Sequence, residues 1–80
     1  MHKIDLSAEI PDECNAIEIL IRTEPRRQVV EIHRSVDDPK PLMMWDGGST
    51  IIGRPREKCL YIESGDPPAL CEVSVRRWLP

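Results

Sequence analysis

The segment best suited to chemistry is the Asp-Gly-Gly-Ser-Thr run at 46–50, which Arg54 and Arg56 follow. A glycine loop can hold a phosphate when it leads into a helix, because the N–H groups at the start of the helix then face the anion. Here the loop leads into a short β-branched segment that ends at Gly53. Asp-Gly and Gly-Gly between short apolar runs are typical of hairpin turns. We therefore predict a hairpin turn rather than a ligand loop.

Cysteines and histidines are the other residues that could act as nucleophiles or zinc ligands. Their spacing contains no CxxC pair and no recognisable ligand motif. An odd number of cysteines also argues against a disulfide framework and indicates a reducing, cytoplasmic environment. We predict no catalytic residue, no metal site and no cofactor, and therefore a protein that is not an enzyme. The residues concerned are Cys14, Cys59, Cys71, His2 and His33.

Arginine clusters and two tryptophans are the candidates for binding a partner. Each cluster stands at a predicted turn or strand end, so the clusters could merge into one basic surface suited to phosphates. Over such a phosphate-binding surface, we favour the interpretation that they are solvated turn residues that discourage edge-strand pairing. The second tryptophan either closes the core, which the shortage of aromatics favours, or stands exposed as an interface anchor. The candidate residues are Arg26, Arg27, Arg54, Arg56, Arg76, Arg77, Trp45 and Trp78.

Apolar alternation at the start of the chain predicts a strand. Ile4, Leu6, Ala8 and Ile10 share one face, while charged and polar residues occupy the other. This period of two continues across the whole segment. We predict one strand that ends at the turn formers of 11–15.

Residues 16–35 predict a second hairpin, closed across Glu-Pro-Arg-Arg, with Ile17, Ile19 and Ile21 on one face of its first strand. Its register sets Ile21 beside Val30 and His33 opposite Glu18. A helix over 11–21 is the alternative, since several apolar residues there also fit a helical stripe. Because β-branched residues are poor helix formers, we favour the strand.

The remaining runs, LMMW, STIIG, KCLYIE and ALCEVSVRRW, alternate with turn formers such as SGDPP at 64–68. Pairing Ile62 with Cys71 in a last hairpin makes Cys71 a core residue and turns Cys59 to the opposite face. The whole pattern predicts a single all-β domain over 1–80, an antiparallel meander of five to seven strands. We expect a partly closed barrel or a two-layer roll, or an α+β variant if the helix forms.

Composition limits the function. The net charge of −3 is far from the basic balance of most nucleic-acid binders, and no apolar run is long enough to span a membrane. We expect a small cytoplasmic module that binds a protein partner through its Arg-rich turns and a tryptophan. Its size also matches many phage or mobile-element inhibitors. Nucleic-acid binding through the arginine clusters is the alternative, and exposed edge strands make a homodimer a further expectation.

Overall fold

The computed structural model describes residues 1–65 and 70–80, and its architecture is all-β. The predicted fold class is confirmed, because seven antiparallel strands form two sheets that do not close into a barrel. No helix occurs in the described ranges, so the alternative of a helix over 11–21 is wrong. Much of the predicted turn at 64–68 lies outside the described residues. The strands are β1 His2–Asp5, β2 Ala16–Glu24, β3 Val29–His33, β4 Leu42–Trp45, β5 Ser49–Gly53, β6 Cys59–Ser64 and β7 Leu70–Leu79.

The strands divide into a four-stranded sheet of order β1-β6-β3-β4 and a three-stranded sheet of order β5-β2-β7. Of the six connections between consecutive strands, only the one joining β3 to β4 links neighbours in a sheet; the others pass between sheets. The predicted hairpin of residues 16–35 is therefore wrong, since β2 pairs with β5 and β7 while β3 pairs with β4 and β6. The last predicted hairpin is wrong for the same reason, because β6 and β7 belong to different sheets.

One apolar core fills the space between the two sheets. The three-stranded sheet contributes Ile17, Ile19 and Ile21, all fully buried, and the four-stranded sheet contributes Leu60 and Ile32 among others. Alternation along each strand produces this arrangement, since every second side chain points to the same face. Burying one such isoleucine stabilises the fold by roughly 1.5–3 kcal/mol, so the core compensates for the shortage of aromatic residues.

The first strand is shorter than the alternation predicts. The Asp5 carboxylate accepts a hydrogen bond from the Ser7 N–H at 2.9 Å, and the chain turns there. Leu6 and Ile10 still reach the core, but Ala8 is exposed. The apolar pattern therefore identified two core residues correctly and assigned them to the wrong local structure, because a side chain competed with the strand for a backbone donor.

The Asp-Gly-Gly segment forms a turn, as predicted, in which the Gly48 N–H donates to the Trp45 carbonyl at 2.8 Å. Gly47 has a φ of +83°, which a residue without a Cβ adopts at little cost. The turn does not close a hairpin, however. It carries the chain from β4 in one sheet to β5 in the other, and the predicted pairing across it is wrong.

Candidate interaction face

The candidate site lies on the outer face of the four-stranded sheet, which is the side that points away from the core. Val30 and Ile32 on β3 point inward, so Glu31 and His33 point outward. Pairing of β3 with both neighbours then sets Glu31 between Glu63 of β6 and Met43 of β4. The register of these strands determines which side chains meet on this face.

Trp45 and Met43 dominate the β4 edge of this face. Trp45 is 66% exposed and Met43 is 62% exposed, and both stand two residues apart on one side of the strand. Met44 between them is buried in the core, which fixes the orientation of its neighbours. β4 is an edge strand with β3 as its neighbour in the sheet, so the two exposed side chains stand at an open border. They form the most exposed aromatic and apolar pair on this sheet.

Asp46 holds the loop of residues 25–28 against the end of β4. Its carboxylate accepts the Thr23 N–H at 2.8 Å through Oδ1 and the Arg27 N–H at 2.9 Å through Oδ2, while its own N–H donates to the Gln28 carbonyl. These two hydrogen bonds hold the pKa of Asp46 below its ordinary value, and the bond from the Arg27 N–H contributes more. Arg27 itself has a φ of +64°, a conformation that these contacts maintain. Asp46 is therefore an anchor rather than a ligand group.

The arginine clusters lie at two opposite ends of the molecule. Arg26 and Arg27 follow the end of β2, whereas Arg77 pairs with Glu18 near its beginning. A strand of nine residues separates these ends by roughly 26 Å. Arg54 follows β5, whose last residue pairs with the first residue of β2, and so joins the Arg77 end. The clusters therefore do not merge into one basic surface, which was the less favoured interpretation of the sequence.

Several of these arginines already have partners within the fold. Arg77 Nε donates to Glu18 Oε1 at 2.9 Å, and Arg54 Nη1 donates to the Asp12 carbonyl at 3.1 Å. In residues 1–65 and 70–80, the guanidinium groups of four others have no hydrogen bond or salt bridge. These unpaired groups belong to Arg26, Arg27, Arg56 and Arg76.

Each end of the molecule also has a groove. One of about 600 Å³ is lined by Arg26 and Arg27 together with Asp46 and Glu24. Another of about 510 Å³ lies at the opposite end and is lined by three arginines with two carboxylates. Its charged lining residues are Arg34, Arg54, Arg56, Asp37 and Glu57.

Trp78 does not close the core, contrary to what the shortage of aromatics favoured. It is 42% exposed and lies outside the core cluster, opposite Ile17 at the end of β7. Arg76, two residues before Trp78, is the extra residue of an irregularity in the pairing of β7 with β2. The end of β7 therefore carries the partly exposed Trp78. Trp45, which ends β4 at the opposite end of the molecule, is exposed over about two thirds of its surface.

Sequence reasoning did not find one further group on the outer face of the four-stranded sheet. His33 Nε2 lies 3.3 Å from Glu31 Oε1 and 3.7 Å from Glu63 Oε2, whereas the sequence predicted a pairing of His33 with Glu18. Glu31 and Glu63 stand directly opposite each other in the register of β3 and β6. These strands are more than 25 residues apart in the chain, and no local pattern signals that they pair.

The cysteines occupy different environments. Cys71 is half-buried and packs against the core, as predicted, and burial raises the pKa of its thiol to about 11. Cys59 is buried outside the core cluster, on the outer side of β6, where its thiol lies 3.9 Å from the Tyr61 hydroxyl. All three cysteines are free thiols. A raised pKa disfavours the thiolate, so Cys71 is poorly suited to act as a nucleophile.

Comparison with known proteins adds no further constraint. No family model, no curated protein and no solved structure matches this chain. Among the described residues, none belongs to a helix that is long and apolar enough to cross a membrane. The function therefore has to be argued from the geometry of the candidate face.

Proposed function

We propose that this domain is a non-catalytic module that binds a protein partner through Trp45, Met43 and the Arg26–Arg27 loop. The observation that carries the proposal is the exposure of Trp45, at 66%, in a domain that has only two tryptophans. Trp and Arg are the residues most enriched among binding hot spots, and Met is also enriched in interface cores. These three residue types stand together at the end of β4.

The surroundings of Trp45 favour a pre-organised contact. β4 is held by its pairing with β3, in which Trp45 stands opposite Val29, and the following turn is fixed by the three hydrogen bonds of Asp46. A rigid anchor loses less conformational entropy on binding than a flexible one, so more of the contact energy appears as affinity. The fold thus presents an exposed indole on a backbone that is already ordered.

Charge defines the kind of partner that this surface would take. The unpaired guanidinium groups of Arg26 and Arg27 lie at the same end as Trp45 and can form charge-assisted hydrogen bonds with carboxylates. We therefore infer a partner surface with an apolar pocket for the indole and acidic groups beside it. The opposite end, with Arg76, Arg77 and Trp78, is a weaker candidate, because Arg77 is engaged by Glu18.

A pull-down with tagged protein tests the proposal, using Trp45→Ala and the matched control Trp78→Ala. We expect a stoichiometric protein that survives nuclease treatment and is retained by the control variant. With the purified partner, Trp45→Ala should weaken binding by about 30-fold, equivalent to roughly 2 kcal/mol. Trp78→Ala should change it by less than about threefold. Equal loss in both variants, or loss only in Trp78→Ala, would contradict the proposal.

Nucleic-acid binding is the second candidate, and the groove lined by Arg34, Arg54 and Arg56 favours it. Two carboxylates, Asp37 and Glu57, line the same groove and oppose a phosphate backbone. Binding of this kind would fall steeply with salt and would be lost in a variant with Arg54, Arg56 and Arg77 changed to alanine. Capture that disappears with nuclease, together with that salt dependence, would replace the proposal with this candidate.

A further inference from the structure

Three metal-ligating groups converge on the outer face of the four-stranded sheet. Glu31, His33 and Glu63 each offer one ligand atom, and these atoms all lie within 4.8 Å of one another. Glu31 and His33 are two residues apart on β3 and so point to the same side, while Glu63 stands opposite Glu31 on β6. Both strands are central in the sheet, and Glu31 itself is paired on both sides, with Met43 of β4 and Glu63 of β6.

His33 has no hydrogen bond that would explain its buried position in the described structure. The residue is only 8% exposed, and both ring nitrogens are buried without a hydrogen bond in the described structure. Its Nε2 lies 3.3 Å from Glu31 Oε1 and 3.7 Å from Glu63 Oε2. Buried polar groups in proteins nearly always have a partner, so this nitrogen calls for an explanation.

Among the described residues, the two carboxylates also lack a lysine or arginine partner, and the basic group set against both is His33. Glu31 and Glu63 face each other across paired strands, an arrangement that is destabilising for like charges. In the part of the chain that the structure describes, neither forms a salt bridge with a lysine or arginine. Lys3 lies on the same face but on β1, where it stands opposite Tyr61. A bound divalent cation would neutralise both carboxylates and occupy the histidine nitrogen at once.

The distances suit a metal with short bonds to nitrogen and oxygen. Zinc binds imidazole nitrogen and carboxylate oxygen at about 2.1 Å, so two ligands of a tetrahedral zinc lie roughly 3.4 Å apart. The distances from His33 Nε2 to the two oxygens bracket this value. One imidazole with two carboxylates favours zinc and similar first-row divalent ions over calcium or magnesium, which prefer oxygen ligands alone.

We propose that Glu31, His33 and Glu63 form a binding site for a first-row divalent transition-metal ion, with zinc as the representative. The protein supplies three ligands, and water completes the coordination on the exposed side. Metal binding at this site can be measured without the proposed protein partner, although Glu31 stands beside Met43 on the same face.

Zinc titration of the full chain, in competition with a chromophoric chelator, tests this site. We expect one zinc ion per chain and an affinity at least tenfold weaker in Glu31→Gln and in Glu63→Gln. These changes keep the shape of the side chain and remove a like charge, so both variants should fold. The matched controls are Glu72→Gln, an exposed carboxylate on β7, and His2→Ala, a histidine outside the cluster. Both controls should bind zinc within about twofold of the original chain.

A second measurement identifies the ligand atom. Nitrogen NMR of the histidine rings should show that zinc shifts the Nε2 signal of His33 and leaves His2 unchanged. The proposal would be overturned by the absence of bound zinc at about 1 mM, a concentration that even a weak site would bind. It would equally be overturned if zinc binding persisted in both Gln variants, or if it was lost in His2→Ala instead.

Discussion

Two glutamates occupy equivalent places in the two sheets, and their neighbours differ. Glu18 lies on the outer side of β2, the central strand of the three-stranded sheet, between Ile51 and Arg77. Its carboxylate accepts hydrogen bonds from Arg77 at 2.9 Å and from the Ser49 hydroxyl at 3.4 Å. Glu31 lies on the outer side of β3, and its neighbour across the strands is another glutamate.

The difference separates a face that stabilises the fold from a face that is left incomplete. On the three-stranded sheet, opposite charges stand across from each other, as expected for a solvated outer face. On the four-stranded sheet, two like charges face each other beside a histidine without a hydrogen bond, and an exposed tryptophan lies on the same outer face. Features that cost stability mark functional surfaces in otherwise consistent folds. We therefore place both proposals on the four-stranded sheet.

The largest effect on folding among these tests is expected from Asp46→Ala. The change leaves the Thr23 and Arg27 N–H groups without their acceptor and frees the loop beside Trp45. We expect the Tm to fall by at least about 5 °C, because a lost acceptor of two backbone donors is costly. Thermal unfolding followed by circular dichroism measures this. The control is Asp37→Ala, which removes an exposed carboxylate whose one hydrogen bond within the described residues comes from the Ser35 hydroxyl; an equal effect there would contradict the anchoring role.

Arg77→Glu gives the outer face of the three-stranded sheet a pair of opposed glutamates, like the pair on the four-stranded sheet. It replaces the ion pair with Glu18 by two carboxylates in direct opposition across the strands. We expect a loss of about 1 kcal/mol in the free energy of unfolding, which urea denaturation can measure. If Arg77→Ala, which removes the pair without adding repulsion, costs as much, then the like-charge argument fails.

Glu63→Lys makes the reciprocal change on the four-stranded face. It places a lysine opposite Glu31 and removes the repulsion between the two carboxylates. With metal removed by a chelator, we expect a gain of about 0.5 kcal/mol in the free energy of unfolding. Urea denaturation again provides the measurement, with Glu9→Lys, a change at an exposed carboxylate outside the strands, as a control for net charge. A loss of stability instead would mean that the two glutamates do not oppose each other as described.

Acid should weaken the anchor beneath Trp45. Because the folded state lowers the pKa of Asp46 from 3.8, the contribution of its carboxylate is present above that value and is lost as the pH falls through the lowered value. Urea midpoints between pH 5 and pH 2 should therefore decline less steeply in Asp46→Asn than in the original chain. Parallel declines would show that this carboxylate is not linked to folding.

Sequence pattern was sufficient for the strands and most of the core, and insufficient for their pairing. Period-two alternation correctly placed Ile17, Ile19 and Ile21 on one face of β2, because burial on one side of a sheet requires it. Turn residues at 46–48 were also recognised from their conformational preferences. Neither signal states which strand lies beside which, and the prediction assumed pairing between consecutive strands.

Because pairing was assumed between consecutive strands, the sequence could indicate candidate residue types but not which of them lie together. Trp45 and the arginines were identified as candidates from residue type alone, and their binding roles stay predictions. The group of Glu31, His33 and Glu63 depends on long-range register between β3 and β6. A single sequence contains no local trace of that register, because each strand satisfies the same alternation whichever partner it has.

The most direct test of the account is an NMR footprint of the partner on this domain. Backbone amide signals would be followed while the captured partner is added to isotopically labelled protein. If the partner binds at the proposed surface, the perturbed signals should map to residues 26–31 and 42–46, with the signal of the Trp45 side chain broadened most. Perturbations centred instead on residues 16–20 and 74–79, the outer face of the three-stranded sheet, would contradict the central claim.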